Sequence, residues 1–199
     1  MKKLILLGLV ATMAFALCAV TGAGSGQAAA PGMFAKACET VTAAAAARDY
    51  VKALSALKSL MVSLWAESAL ALSNVKFVKG ADNSYGMYAL RENDAFTAGE
   101  PIYLYAEPSG YVINKNAAGY FEFGFKADFQ VADESGKVLG GQNEFAVMPF
   151  KSWNPNTEIS ITFTYTLSGL EKGKYKIITQ VSDTHSAKKA SCEKWFLIR

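Results

Sequence analysis

Between Met33 and Val78 apolar residues recur every three or four positions, with no Gly or Pro among them. Beyond Ser73 they recur every second position, and Gly, Tyr, Phe and Thr become common. The first spacing is that of helices, and the second is that of strands with one wet face. The earlier segment predicts two helices. One covers Lys36 to Ala47 and is dominated by alanine. Asp49 is the N-cap expected for the other, since a short carboxylate can accept the free N–H groups of a first turn. In that second helix Tyr50, Leu54, Leu57, Met61 and Leu64 share one stripe, and Lys52, Ser55, Ser59 and Ser63 lie opposite. The stripe is expected to be buried against the rest of the protein.

Two strands alternate strictly. Phe121, Phe123, Phe125, Ala127, Phe129 and Val131 share one face, as do Ile159, Ile161, Phe163, Tyr165 and Leu167. Weaker patterns predict strands at 75–78, 85–90, 102–107, 144–148, 175–183 and 190–198. Turn residues separate them, among them Pro108-Ser109-Gly110 and Asn154-Pro155-Asn156. Many short antiparallel strands with regular turns predict a mainly β fold, a sandwich of two sheets preceded by a helical hairpin. The expected division is a leader over 1–29, the hairpin over 33–73 and the sandwich over 74–199.

Leu170-Glu171-Lys172-Gly173-Lys174-Tyr175, before the penultimate strand, resembles the tyrosine corner of immunoglobulin-like and fibronectin type III domains. The resemblance implies an immunoglobulin-like sandwich in which the tyrosine hydroxyl bonds back to nearby backbone. Ala47 to Leu54 is similar to the inter-helix turn of a tetratricopeptide repeat, but no second copy follows. The layout as a whole resembles uncharacterised exported bacterial proteins that pair a helical hairpin with such a sandwich, which implies a fold and no activity.

The first 30 residues change how the composition is understood. Lys2 and Lys3 precede an uncharged stretch from Leu4 to Val20 and a small-residue exit at Gln27-Ala28-Ala29-Ala30. That layout is a secretory signal peptide of the Sec type, implying a periplasmic or secreted bacterial protein. An uncleaved anchor is disfavoured because Gly and Ala dilute the stretch. A lipoprotein is disfavoured because bulky Leu17 precedes Cys18. Setting Lys2 and Lys3 aside reduces the basic count from 20 to 18, against 17 acidic residues and a net charge of +1. Such a balance has no field to steer a nucleic acid, and no further run is long enough to hold the cleaved protein in a membrane. The remaining cysteines, Cys38 and Cys192, are expected to form a disulfide in an oxidising compartment.

Catalytic and metal chemistry find little support. His185 is the only histidine and falls in the expected turn Asp183-Thr184-His185-Ser186. One His and two distant Cys make no zinc or copper cluster, and no phosphate loop precedes a helix. No cofactor is expected. Glu100, Glu107, Glu122 and Asp128 are the carboxylates available for paired acid–base hydrolysis. The surplus is aromatic: Tyr103 and Tyr105 alternate with Ile102, Leu104 and Ala106, and Trp153 lies in a nearby turn. Tyr103, Tyr105 and Trp153 are therefore candidate ligand residues, able to stack on a sugar or anchor a protein. The competing expectation is that the helical hairpin covers them as core. The resulting reading is a non-catalytic exported module for an unknown protein or glycan partner. A carbohydrate-binding sandwich and a hydrolase with paired carboxylates are the alternatives. The leader makes a direct prediction: N-terminal sequencing of the protein accumulated by its own cell should begin at Ala29 or Ala30, and Met1 or Lys2 would overturn it.

Overall fold

The structure is a computed structural model that describes residues 31–199, so the leader and its cleavage lie outside the described residues. Two helices come first, α1 at Pro31–Ala46 and α2 at Tyr50–Glu67. Asp49 caps α2 as expected, its carboxylate accepting the Lys52 N–H at 3.1 Å. Nine strands follow: β1 (Ala71–Val78), β2 (Ala95–Phe96), β3 (Ile102–Ser109), β4 (Asn114–Lys115), β5 (Phe121–Asp133), β6 (Val138–Ser152), β7 (Ile161–Tyr165), β8 (Gly173–Asp183) and β9 (Lys189–Ile198). The protein is mainly β, with its two helices at the N-terminal end of the described chain.

The strands form two sheets. One has the order β1-β3-β7. The other runs β2-β9-β8-β5-β4, with β6 also paired to β5. All pairings are antiparallel except β2 with β9. Both sheets feed one core. Leu104, Ala106, Ile161 and Phe163 come from the first, and Phe123, Phe125, Ile177, Val181 and Phe196 from the second. The alternation in β5 and β7 thus marks the buried face, because strand side chains point to opposite faces in turn. Near the expected corner, the Tyr175 hydroxyl donates to the Glu171 carbonyl at 3.0 Å.

Two expectations about the strands change. Residues 85–90 are no strand; they belong to an excursion between β1 and β2 that lies over the outer face of the three-stranded sheet. Tyr88 packs on Tyr105 with ring centres 4.2 Å apart, and Asn83 Nδ2 donates to Thr162 Oγ1 at 3.1 Å. β6 is far longer than 144–148, because its outward half, Val138 to Glu144, is exposed and carries no apolar alternation to announce it.

The helical hairpin meets the β body at one end only. The Trp65 ring stands edge-on to Tyr111 at 5.2 Å, and the Tyr111 hydroxyl donates to the Asn156 carbonyl at 2.7 Å. Lys188 Nζ donates to the carbonyls of Ala66 and Gly110, each at 2.8 Å. Gly110 has φ +76°, and a Cβ there would run into the Ala69 carbonyl, so the close approach requires glycine. The Asp183 carboxylate holds the neighbouring loop by accepting the N–H groups of Val112 and His185 and the Ser186 hydroxyl, each at 2.8 Å.

This end-on docking overturns the expected burial of α2. Tyr50, Leu54, Leu57, Met61 and Leu64 are between 42% and 61% exposed. The buried residues of the hairpin are instead Ala44, Ala53 and Leu60. Six of the sixteen residues of α1 are alanine, so α1 offers a shallow face that accepts the Ala53 and Leu60 strip of α2. A row of five large side chains finds no grooves there deep enough to receive it. Lys188→Met should remove both charged donations while retaining most of the apolar stem. We expect about 1–2 kcal/mol of lost stability, seen as a melting temperature lower by about 5 °C; an unchanged melting curve would show that the joint does not depend on it.

Candidate interaction surface

The exposed row on α2 is the most unusual feature of the surface. Its members fall at alternating spacings of four and three residues, so they line one side of an 18-residue helix. Val51, 82% exposed, widens the row at its start. Lys52 and Ser59 lie on other faces and are also in water. Met61 belongs at the same time to a cleft of about 560 Å³ between α2 and the β6–β7 loop. Lys58, Ser59 and Val62 line its helix side, and Asn154 to Glu158 line the other. The cleft mixes amide, carboxylate and ammonium groups with apolar carbon, and the row beyond it is apolar alone.

The aromatic residues singled out from the sequence do not form one platform. Tyr105 is fully buried, 0% exposed, under Tyr88. Its hydroxyl accepts the Gly86 N–H at 2.9 Å and donates to Glu107 Oε1 at 2.7 Å. Burial, followed by the Glu107 carboxylate, holds the Tyr105 hydroxyl above the usual tyrosine range. Tyr103, half-buried, lies on β3 opposite Val78 and Thr164. Trp153 is 77% exposed just past β6, edge-on to Tyr120 at 5.9 Å. The tyrosine face is therefore covered, but by the β1–β2 excursion and not by the hairpin. The excursion brings polar backbone that can satisfy a buried hydroxyl, which an apolar helix face cannot do.

The carboxylates considered for hydrolysis each have their own structural partner. Glu107 is buried, with Asn74 Nδ2 donating to its Oε2 at 2.6 Å. Glu122 pairs with Lys151 at 3.4 Å, and Asp128 accepts the Glu144 N–H at 2.6 Å. Glu100 pairs with Arg91 at 2.8 Å. The Thr97 N–H first, and Arg91 after it, hold Glu100 below the usual carboxylate range against the opposing effect of burial. His185 is exposed in the β8–β9 turn, where its backbone N–H donates to Asp183. Among the described residues no group of three or more His, Cys, Asp or Glu could hold a metal ion, and no helix is long and apolar enough to cross a membrane.

Cys38 and Cys192, the expected disulfide partners, stand unbonded in the structure. Cys38 is exposed on α1, which packs on α2, and Cys192 is half-buried on β9 opposite Thr179. Burial pushes the Cys192 thiol up to about 11.

Sequence reasoning placed the α2 row correctly on one face and put that face on the wrong side of the protein surface. The signal that could have corrected it is the alanine content of α1, which leaves nothing to interlock with five large residues.

No family model matches the chain, and no curated protein does. Among solved structures, the chain is similar to the sporulation control protein Spo0M of Bacillus subtilis at 14% identity and a TM-score of 0.34, over 66% of this chain and 50% of that one. It is similar to the alkylpurine DNA glycosylase AlkC of Pseudomonas fluorescens at 10% identity and a TM-score of 0.36, over 72% and 36%. A superoxide reductase (neelaredoxin) of Ignicoccus hospitalis matches at 13% identity and a TM-score of 0.29, over 55% and 77%. The chain thus spans half the length of Spo0M and about a third that of AlkC.

The thiol geometry can be tested directly. In the native protein at pH 8, Ellman's reagent should modify Cys38 promptly and leave Cys192 intact, because the thiolate is the reactive form. Denaturation without reductant should release the second thiol. Finding no titratable thiol in the denatured protein would show that the two are bonded.

Proposed function

We propose that the protein is an exported, non-catalytic protein-interaction module that uses the exposed face of α2. One observation carries the reading: Tyr50, Leu54, Leu57, Met61 and Leu64 stand in a single row in water. Burying a side chain of this size is worth roughly 1.5–3 kcal/mol, so the row forgoes on the order of 5 kcal/mol while about half exposed. Contiguous apolar patches above a few hundred Å² are uncommon on monomeric soluble proteins and mark interaction sites. The buried residues of α2 are Ala53 and Leu60, outside the row.

Export is supported by the basic start, apolar stretch and small-residue exit of residues 1–30. An immunoglobulin-like sandwich as the finer architecture is supported by the bond from the Tyr175 hydroxyl to the Glu171 carbonyl, the bond expected of a tyrosine corner. In this reading the β body is a rigid base, and the hairpin is the part that meets a partner.

A photo-crosslinking amino acid at position 57 of the full chain, expressed in its own cell, tests the reading. We expect a discrete crosslinked protein product at that position and none at exposed Ser59. Equal, diffuse labelling at both positions, or no product at 57, would overturn it.

A further inference from the structure

We propose that the cleft between α2 and the β6–β7 loop is a binding site for a short peptide with both ends free. The proposal goes beyond the α2 row and does not rest on it. Three observations carry it.

The first is the build of the cleft. Its volume of about 560 Å³ falls within the roughly 300–1,000 Å³ of small-ligand sites. Tyr111 fixes both walls: its ring meets Trp65 of α2 at 5.2 Å, and its hydroxyl donates to the Asn156 carbonyl at 2.7 Å. The loop is also held from within. Asn156 Oδ1 accepts the Glu158 N–H at 3.0 Å, and the Ser152 hydroxyl donates to the Asn154 carbonyl at 2.6 Å. A site fixed in advance loses less binding free energy to ordering its own walls.

The second is charge. Lys58 stands on the helix wall and Glu158 on the loop wall. Neither forms an ion pair with the other, or with any other charged group among the described residues. In this Glu158 differs from Glu100 and Glu122, whose carboxylates are paired with Arg91 and Lys151. A ligand of one sign is attracted by one wall and repelled by the other. A peptide with a free amino and a free carboxyl end answers both, its ammonium meeting Glu158 and its carboxylate meeting Lys58.

The third is the rest of the lining. Asn154 offers a side-chain amide with a donor and an acceptor, the two groups that a peptide bond presents in return. Met61 and Pro155 supply aliphatic carbon for a side chain of the ligand. Among the described residues no aromatic ring lines the cleft, so a sugar finds no face there on which to stack.

Equilibrium dialysis of isotope-labelled Ala-Leu-Ala, both ends free, against protein purified from the full-length gene tests this. We expect saturable binding with a Kd on the order of 10–100 µM. The same peptide acetylated and amidated at its ends should bind about tenfold more weakly or worse, because neither charge is then met. Lys58→Met and Glu158→Gln should each weaken the free peptide by roughly tenfold. Lys52→Met, exposed on α2 and outside the cleft, should leave binding unchanged. Far-UV circular dichroism should be the same for all three variants, since each of these side chains is exposed. No saturable binding up to about 1 mM peptide would overturn the proposal. Equal affinity for the end-blocked peptide, unchanged affinity in both cleft variants, or displacement of the peptide by a neutral trisaccharide would overturn it as well.

Discussion

The Lys188 ammonium, reaching the carbonyls of Ala66 and Gly110 at once, sets the relation between the helices and the sheets. The last turn of α2 leaves carbonyl groups without intrahelical donors, and a positive charge there also meets the negative end of the helix dipole. Around that contact the chain is tightly drawn. Gly110 leaves room for the Ala69 carbonyl, Tyr111 takes the edge of Trp65, and Asp183 holds Val112 in place. Lys188 and Asp183 both belong to the β8–β9 hairpin or its turn, so one tight connection of the larger sheet positions the helices. A docking point this small, formed by the end of a helix, leaves the Tyr50–Leu64 row of α2 largely in water.

The exposure of the apolar row follows from that geometry. A helix lying flat on a sheet buries a wide stripe, whereas a helix attached by its tip buries only its tip. The β body does not need the hairpin as a cover, because its vulnerable outer face has another. The β1–β2 excursion seals Tyr105 and brings the Gly86 N–H to its hydroxyl. Glu107 and Asn74 complete that buried set of polar groups. Such a set is costly unless every member is satisfied, and a backbone-rich loop satisfies it better than a helix whose own polar backbone is already spent.

The same contrast separates the two parts chemically. The β body gathers its polar side chains into local structural bonds: Glu100 with Arg91 and Thr97, Asp128 with the Glu144 backbone, Asp183 with its turn. These carboxylates are occupied in holding loops. The hairpin surface offers carbon in a regular row, whose natural complement is another apolar surface.

Much of the fold was legible in the amino-acid sequence by itself. The switch of period near Ser73 separates helices from strands, Asp49 marks the start of α2, and the alternation in 121–131 and 159–167 identifies the core faces of β5 and β7. These features are local: each is determined by neighbours within a few residues. The tertiary structure decided the rest. Whether the row Tyr50 to Leu64 is buried depends on what stands opposite it, and periodicity reports a face without reporting a partner. The fate of Tyr105 depended on a loop whose residues show no regular pattern. Pairings between residues distant in the chain, such as Lys188 with Ala66 or Asp183 with Val112, leave no trace in local spacing. They appear only when the backbone is folded, because burial is a property of two surfaces and a sequence pattern describes one.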